Sequence, residues 1–392
     1  MIKKLKQLTE EYGHLFEKDG KYSQLHTTYD AMYTFLFAPG HTARSGAHIR
    51  DGIDLKRTMI TVVIAMIPAL LFGMWNTGHQ HFLAIGELTG YGEGFLDKML
   101  FGAIEVLPIV IVSYGVGLGV EFLFATIRGH QVNEGYLVTG MLIPLVMPST
   151  VPLWMVAVAV IFAVVIGKEV FGGTGMNILN VALMARAFVF FAYPAYMSGD
   201  TVWVSETPDG WSGATALAQA AYGGEVTYSF WEMFLGVVPG SIGETSTLMC
   251  LIGAALLIFT GIGSWRIMLS VVLGALFMGA LFNVIGAQFP DTESLGIIFM
   301  REVPFYEHLV MGGLAFGLVY MATDPVTAAQ TDQGKWWYGF FIGILTVLIR
   351  VVNPAYPEGT MLAILLMNVF APLIDYIVVQ QNIKRRLVRV TK

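Results

Sequence analysis

Residues 137–168 read LVTGMLIPLVMPSTVPLWMVAVAVIFAVVIGK and carry no charge before the closing lysine. One helix through about 30 Å of hydrocarbon uses about 20 apolar residues at 1.5 Å each. This run is too long for one such helix, and its proline-rich centre divides it into a short piece, 135–148, and a longer one, 151–167. The short piece cannot cross a bilayer alone. Irregular backbone at membrane depth is tolerated only where protein or a cavity satisfies its polar groups, so the stretch predicts a helix that stops inside the membrane.

Composition extends that reading to the whole chain. Of 392 residues, 55% are hydrophobic and 13% charged, against about a quarter charged in ordinary soluble domains. The fold class is therefore an all-α polytopic membrane protein. A nucleic-acid-binding function is excluded by the same numbers. The net charge of −6 carries little information, because local Lys and Arg in short loops set topology. Cys250 is the one cysteine, so the chain alone builds no disulfide framework, zinc site or iron–sulfur cluster.

Further apolar runs occur near 58–75, 99–126, 178–193, 244–263, 265–286, 308–322, 335–351 and 359–380. With 135–148 and 151–167 they predict ten transmembrane helices, several broken by Gly or Pro. Lys56, Arg57, Arg128, Lys168, Arg266, Lys335 and the closing KRRLVRVTK fall on one side of that count, which the positive-inside rule makes cytoplasmic. Both termini are then cytoplasmic, and residues 194–243 form an external loop. The N-terminus lacks the apolar core of a signal peptide. Its MIKKLKQLTEEY suits a short interfacial helix at the lipid surface, or a solvated one.

The two sets of five runs resemble each other. VTGMLIPLVMPS and VMGGLAFGLVYMATDP occupy matching places, each followed by a full span and then an Asn-Val segment, around Asn180 and Asn368. The expected organisation is a cytoplasmic extension at 1–56, a five-helix half at 57–193, the external loop at 194–243, a second half at 244–380 and a basic tail at 381–392. Interrupted segments at matching places in two halves point to a binding site at the repeat interface.

The external loop contains DGWSGAT, residues 209–215. On its tetrapeptide alone, Ser212-Gly213-Ala214-Thr215 is an ordinary turn entering a short helix. Asp209 extends it to DxxSGAT, and the small Gly213 and Ala214 leave room for a modifying enzyme at Thr215.

At these residues the chain resembles a known family, which unites the B subunit of the bacterial sodium-translocating NADH:quinone oxidoreductase with the D subunit of the Rnf complex. DxxSGAT is similar to the family's flavinylation motif, in which a transferase joins FMN phosphate to the threonine hydroxyl as a phosphoester. The likeness extends through HIRDGIDLKRTM, GKEVFGGTGMN, PGSIGETSTL, RVVNPAYPEGTMLAILLMN and NIKRRL. The long basic N-terminus and KEVFGGTG fit the quinone-reductase branch better.

The resemblance implies a flavoprotein of the bacterial inner membrane, with FMN on Thr215, noncovalent riboflavin, ubiquinone as substrate and Na+ export. Electrons from NADH would enter at a partner carrying FAD and a 2Fe-2S cluster, and a second covalent-FMN subunit would belong to the same complex. Cofactors perform such redox chemistry while the protein supplies position and field, so no catalytic side chain is assigned. The alternatives are an Rnf-type subunit working with ferredoxin and NAD, and a cofactor-free secondary transporter on the same repeat.

Other candidates follow. Gly240 and Ser241, near the start of the sixth run, are candidate phosphate or flavin contacts, since free N–H groups at a helix start favour anions; simple capping is the alternative. Asn177 and Asn180 share a helix face, and their amides both donate and accept, which suits a riboflavin edge; capping of a broken helix is the alternative. Glu121 and Asp375 lie near the inner ends of the second and tenth runs. Intramembrane carboxylates are costly and usually functional, so both are candidates for the Na+ path; near a helix end, snorkelling toward the interface is the alternative. Gly117 lies one turn before Glu121 and leaves a flat surface for a quinone, or for tight helix packing. Arg186, in the fifth run, needs a carboxylate or a cofactor oxygen as partner, and the sequence does not identify which.

Overall fold

The structure is a computed structural model; it describes residues 55–129, 135–208, 210–353 and 356–390, with scattered residues between 9 and 47. The expected interfacial helix at residues 1–12 falls largely outside the described residues, and Asp209 falls wholly outside them.

Among the described residues the chain is all helix, with no strand. Five helices are long and apolar enough to cross a membrane: α1 (Leu55–Ala84), α2 (Phe95–Arg128), α9 (Trp265–Gly286), α12 (Asp332–Val352) and α13 (Thr360–Val390). Three apolar helices are shorter: α3 (Tyr136–Leu145), α5 (Val181–Ala192) and α8 (Thr247–Phe259). Helix α4 (Leu153–Val164) runs on as a π-turn over Val165–Glu169, and the single turn α11 (Leu314–Phe316) continues as another over Gly317–Met321. Short helices α6 (Ala216–Ala221) and α7 (Phe230–Leu235) lie in the loop after α5, and α10 (Leu295–Glu302) lies between α9 and α11.

The stop in 137–168 is where the sequence places it. Pro144 sits in the last turn of α3, and Pro148 and Pro152 follow in a non-helical stretch that ends where α4 starts. The freed carbonyls of that last turn find donors in the loop before α8. The N–H of Gly243 donates to Leu145 O at 2.7 Å, and that of Ile242 to Met147 O at 3.1 Å. Two broken segments from distant parts of the chain thus satisfy each other, as backbone buried in an apolar medium requires. A Cβ on Gly243 would lie 2.6 Å from the Leu145 side chain, so this approach needs glycine.

The core is apolar, but unlike that of a soluble protein the outer surface of the long helices is apolar too, and several charged side chains are buried. Ile104 and Ile111 of α2 are 70% and 68% exposed, whereas Arg186, Glu244, Lys168, Glu121 and Arg350 are buried. Apolar residues outside and paired charges inside are what a lipid solvent selects. Long helices pack through small residues: Gly102 of α2 lies against the Met74 carbonyl of α1, and Gly343 of α12 against the Val271 carbonyl of α9. At the junction of α1, α8 and α11, the Tyr320 hydroxyl donates to Ala65 O at 2.8 Å.

Candidate functional site

Two cavities lie at opposite ends of α5. Both are partly open at the mouth and lined more by apolar than by polar surface. Asn180, at the start of α5, lines the second; Arg186 and Phe190, farther along, line the first. Six residues of helix separate Asn180 from Arg186, a rise of about 9 Å.

The first cavity is built on Arg186. Its guanidinium bonds the Glu244 carboxylate, donates to Glu358 at 2.8 Å and reaches the Ser241 hydroxyl at 3.3 Å. Glu358 in turn accepts from the N–H of Gly313 at 3.0 Å. The two carboxylates approach Gly313 so closely that a Cβ there would lie 2.6 Å from an oxygen of each. Arg350 is also buried, and donates to the carbonyls of His308 at 2.7 Å and Met311 at 2.9 Å. The four side chains carry two positive and two negative formal charges. Buried ions cost several kcal/mol each unless paired and hydrogen-bonded, and here the cluster is neutral as a whole.

Thr215 stands on the wall of this cavity and caps α6, its hydroxyl oxygen accepting from the Ala218 N–H at 3.2 Å. That bond leaves the hydroxyl proton with no acceptor among the described residues. Leu217 anchors the loop beside the entry to α11, where Gly312 has φ +60° and a Cβ would lie 2.4 Å from the Leu217 side chain. Gly213 donates to the Asp200 carbonyl at 2.9 Å, and Ser212 to the Asp200 carboxylate at 3.2 Å. The Ala214 carbonyl accepts from the Tyr228 hydroxyl at 3.3 Å. Burial raises the Tyr228 phenol above its ordinary value, with the nearby Glu232 adding to the effect.

Gly240 and Ser241 line the same cavity. Several N–H groups of their loop are committed elsewhere: those of Ile242 and Gly243 go to the end of α3, that of Glu244 goes to the Ser241 carbonyl, and Ser246 caps α8.

The second cavity brings together Asn177, Asn180, Lys168 and Asp324. Asn180 caps α5 by accepting from Leu183 N–H at 3.1 Å and donates to the Asp324 carboxylate at 3.2 Å, so both ends of its amide are engaged. The Asn177 amide nitrogen donates to the Leu179 carbonyl at 3.1 Å. Asp324 also accepts from Thr327 and from the Val326 N–H, each at 3.0 Å. Asn368, its amide turned so that nitrogen faces the Ile364 carbonyl, accepts from the Asn180 N–H at 3.1 Å. The two asparagines that the repeat pattern matches are in contact.

Glu121 is buried and ion-paired with Lys168, which the π-turn after α4 carries inward. In the sequence Lys168 reads only as a topology marker; nothing in its local pattern signals an interior partner 47 residues away. Asp324 escapes a reading of the sequence too, although its Thr-Asp-Pro setting at the end of a broken helix is visible there. Asp375 lies outside both cavities. It accepts from the N–H groups of Gln330 and Thr331 at 2.6 and 2.9 Å, and from the Thr331 hydroxyl at 2.5 Å, so it anchors the start of α12. Gly117 faces Tyr136, whose hydroxyl a Cβ there would overlap, and that hydroxyl donates to the Ser113 carbonyl at 2.9 Å. The phenol covers the flat surface, and a quinone ring would meet Gly117 only after Tyr136 moves.

Fold and site together define a multi-pass membrane protein of broken helices, with two mainly apolar cavities that each hold buried charged side chains and a threonine hydroxyl beside one of them. The chain belongs to the NQR2, RnfD, RnfE family, whose model matches residues 42–384. It is 51% identical to the B subunit of the Na(+)-translocating NADH-quinone reductase of Chromohalobacter salexigens, over 95% of this chain and 94% of that one. The proteins of the same name from Pseudomonas paraeruginosa and Stutzerimonas stutzeri are each 50% identical, over 98% and 96% of this chain and 99% and 97% of theirs.

Proposed function

We propose that this chain is the B subunit of a redox-driven sodium pump in a bacterial inner membrane. It passes electrons that enter from NADH at partner subunits on to ubiquinone, coupled to Na+ export. The single observation that carries this reading is Thr215: a motif threonine whose hydroxyl proton has no acceptor among the described residues, on the wall of a cavity floored by a buried arginine. Near-full-length similarity to the B subunits of Na(+)-translocating reductases supports it.

In this reading the apolar runs make ten helices in two five-helix halves, α1 to α5 and then α8, α9, α11, α12 and α13, with both termini cytoplasmic and the Thr215 loop outside. The contact of Asn180 with Asn368 and the mutual support of the α3 end and the α8 entry favour that pairing.

The first cavity fits FMN held through a Thr215 phosphoester. It offers a cation in Arg186, small residues beside the threonine, apolar walls from Phe190 and Met311, and buried hydroxyls without hydrogen-bond partners among the described residues. The second fits riboflavin, with Asn177, Lys168 and the Thr323–Asp324 pair as polar contacts. Bound flavin supplies the electron transfer that no side chain here performs. The chain's own part is to exclude water, orient the ligand and keep the field around it fixed. Glu121 with Lys168 puts acidic oxygen toward the end of α2, and Asp375 puts it midway along α13, on the route by which Na+ would enter. A flavin transferase, an NADH-oxidising subunit with FAD and 2Fe-2S, and a second covalent-FMN subunit are the partners this function requires.

The experiment is a denaturing gel viewed under ultraviolet light, with mass spectrometry of the peptide that contains Ser212–Gln219. A flavin-fluorescent band and a peptide heavier by one FMN phosphoester are expected. A dark band from cells that possess the transferase would instead favour a cofactor-free transporter. An Rnf-type subunit would fluoresce too, but would copurify with ferredoxin-dependent partners.

A further inference from the structure

Besides its charged floor, the first cavity holds two polar atoms that the charge cluster does not use. The hydroxyls of Tyr356 and Thr245 are buried and have no hydrogen-bond partner among the described residues. Both residues line this cavity, Tyr356 at 5% exposure and Thr245 at 8%. They come from opposite ends of the second half of the chain, Thr245 from the loop entering α8 and Tyr356 from the connection between α12 and α13. Each stands beside a carboxylate that grips Arg186: Thr245 follows Glu244, and Tyr356 lies two residues before Glu358.

Buried hydroxyls nearly always find a partner, and leaving one unpaired is unfavourable. Two such hydroxyls on residues that line one mainly apolar space suit a ligand that is flat, apolar on its faces and polar along an edge. Tyr356 is rigidly placed for such a contact. Its ring packs edge-on to Phe190 at 4.3 Å, and its N–H donates to the Asn353 carbonyl at 3.0 Å. Arg186 lies on the floor, where its charge and that of Arg350 are balanced by Glu244 and Glu358, so the floor fixes a field without drawing in a free anion.

We propose that the hydroxyls of Tyr356 and Thr245 are the donors that hold the polar edge of the flavin ring tethered to Thr215, with Arg186 as the cation facing that edge. This rests on the reading of Thr215 as the attachment site, and it assigns ring-positioning residues that the motif does not contain. A donor to a ring carbonyl or nitrogen stabilises the negative charge that reduction brings, so it raises the midpoint potential of the ring it touches.

The test uses the assembled complex with Tyr356→Phe and Thr245→Val, which remove a hydroxyl and keep the shape, and Thr245→Ser, which restores one. Gel fluorescence reports attachment, spectroelectrochemical titration reports the potential of this flavin, and visible circular dichroism reports the ring's surroundings. The fluorescent band should persist in all three variants. In Tyr356→Phe and Thr245→Val the potential of this flavin alone should fall, by roughly fivefold in the reduced-to-oxidised ratio at fixed potential, with an altered circular dichroism band. Thr245→Ser should return both toward the parent. Parental potentials and circular dichroism in both hydroxyl-less variants, with the band intact, would overturn the assignment and leave those hydroxyls to ordered water. A parent protein without any fluorescent band would instead remove the attachment reading, and this inference with it.

Discussion

The guanidinium of Arg186 lies 2.8 Å from the carboxylate of Glu358, 172 residues further along the chain. Through Arg186, one broken helix of the first half is tied at once to Glu244 at the entry to α8 and to Glu358 at the entry to α13. All three side chains are largely withdrawn from solvent, so the pairing is strong only while complete.

Replacing Arg186 by Met should therefore leave two carboxylates facing each other, and should destabilise the fold by about 3–5 kcal/mol. Cys250 is a buried thiol on α8, one turn beyond the cap of that helix. A thiol-reactive dye in a thermal ramp should report a lower midpoint for Arg186→Met than for the parent, and a smaller fall for Arg186→Lys. An unchanged midpoint would mean that the triad contributes nothing to stability.

Thr215→Leu should abolish the fluorescent band. It should also remove the cap of α6, at a local cost of about 1 kcal/mol, leaving the helices in place. Thr215→Ser keeps both cap and hydroxyl, so its midpoint should match the parent whether or not the transferase accepts serine. Gel fluorescence beside the same thiol ramp separates the two effects.

Glu121→Gln leaves the Lys168 ammonium opposite a neutral amide, and Asp375→Asn weakens three bonds at the start of α12. Both should weaken Na+ stimulation of quinone reduction, read as a higher half-saturating Na+ concentration. If sodium dependence were unaltered in both, neither carboxylate would belong to the ion path.

Gly117→Ala drives a methyl group into the Tyr136 hydroxyl. Overpacking of this kind costs about 1–3 kcal/mol. Shortening the partner as well, in Gly117→Ala with Tyr136→Leu, should recover part of the loss, as seen by comparing thermal midpoints. Additive losses would show that the two positions do not meet.

Glu232 in the Thr215 loop completes a capping box with Ser229, whose backbone N–H and hydroxyl each donate to its carboxylate at 2.8 Å. Those bonds hold the Glu232 pKa below the usual carboxylate value of 4.5. The folded form thus binds its proton more weakly than the unfolded one. The stabilisation is full above the usual value and is lost as pH falls through the depressed one. Hydrogen exchange in α7 should quicken as pH is lowered below about 4.5 more in the parent than in Glu232→Gln, after correction for intrinsic rates.

Local order in the amino acids made much of this legible in advance. Apolar runs with few charges announce helices in lipid, because no other backbone arrangement short of a barrel satisfies its polar groups there. Prolines at 144, 148 and 152 mark where α3 stops, and Ser-Gly-Ala-Thr marks the threonine. Arg186 advertised a need for a carboxylate or cofactor-oxygen partner, since an unpaired cation at that depth is costly. These are properties of short windows, and short windows are what a sequence displays.

Which carboxylates answer Arg186 was decided only in three dimensions, as were the inward turn of Lys168 toward Glu121, the anchoring role of Asp375 and the covering of Gly117 by Tyr136. Each depends on helices that meet across tens to hundreds of residues, and on π-turns and broken ends whose direction no local pattern encodes. The two cavities exist for the same reason. They are the spaces left where half-helices from distant parts of the chain stop short and satisfy one another's backbone, and that geometry arises from packing, not from any single stretch.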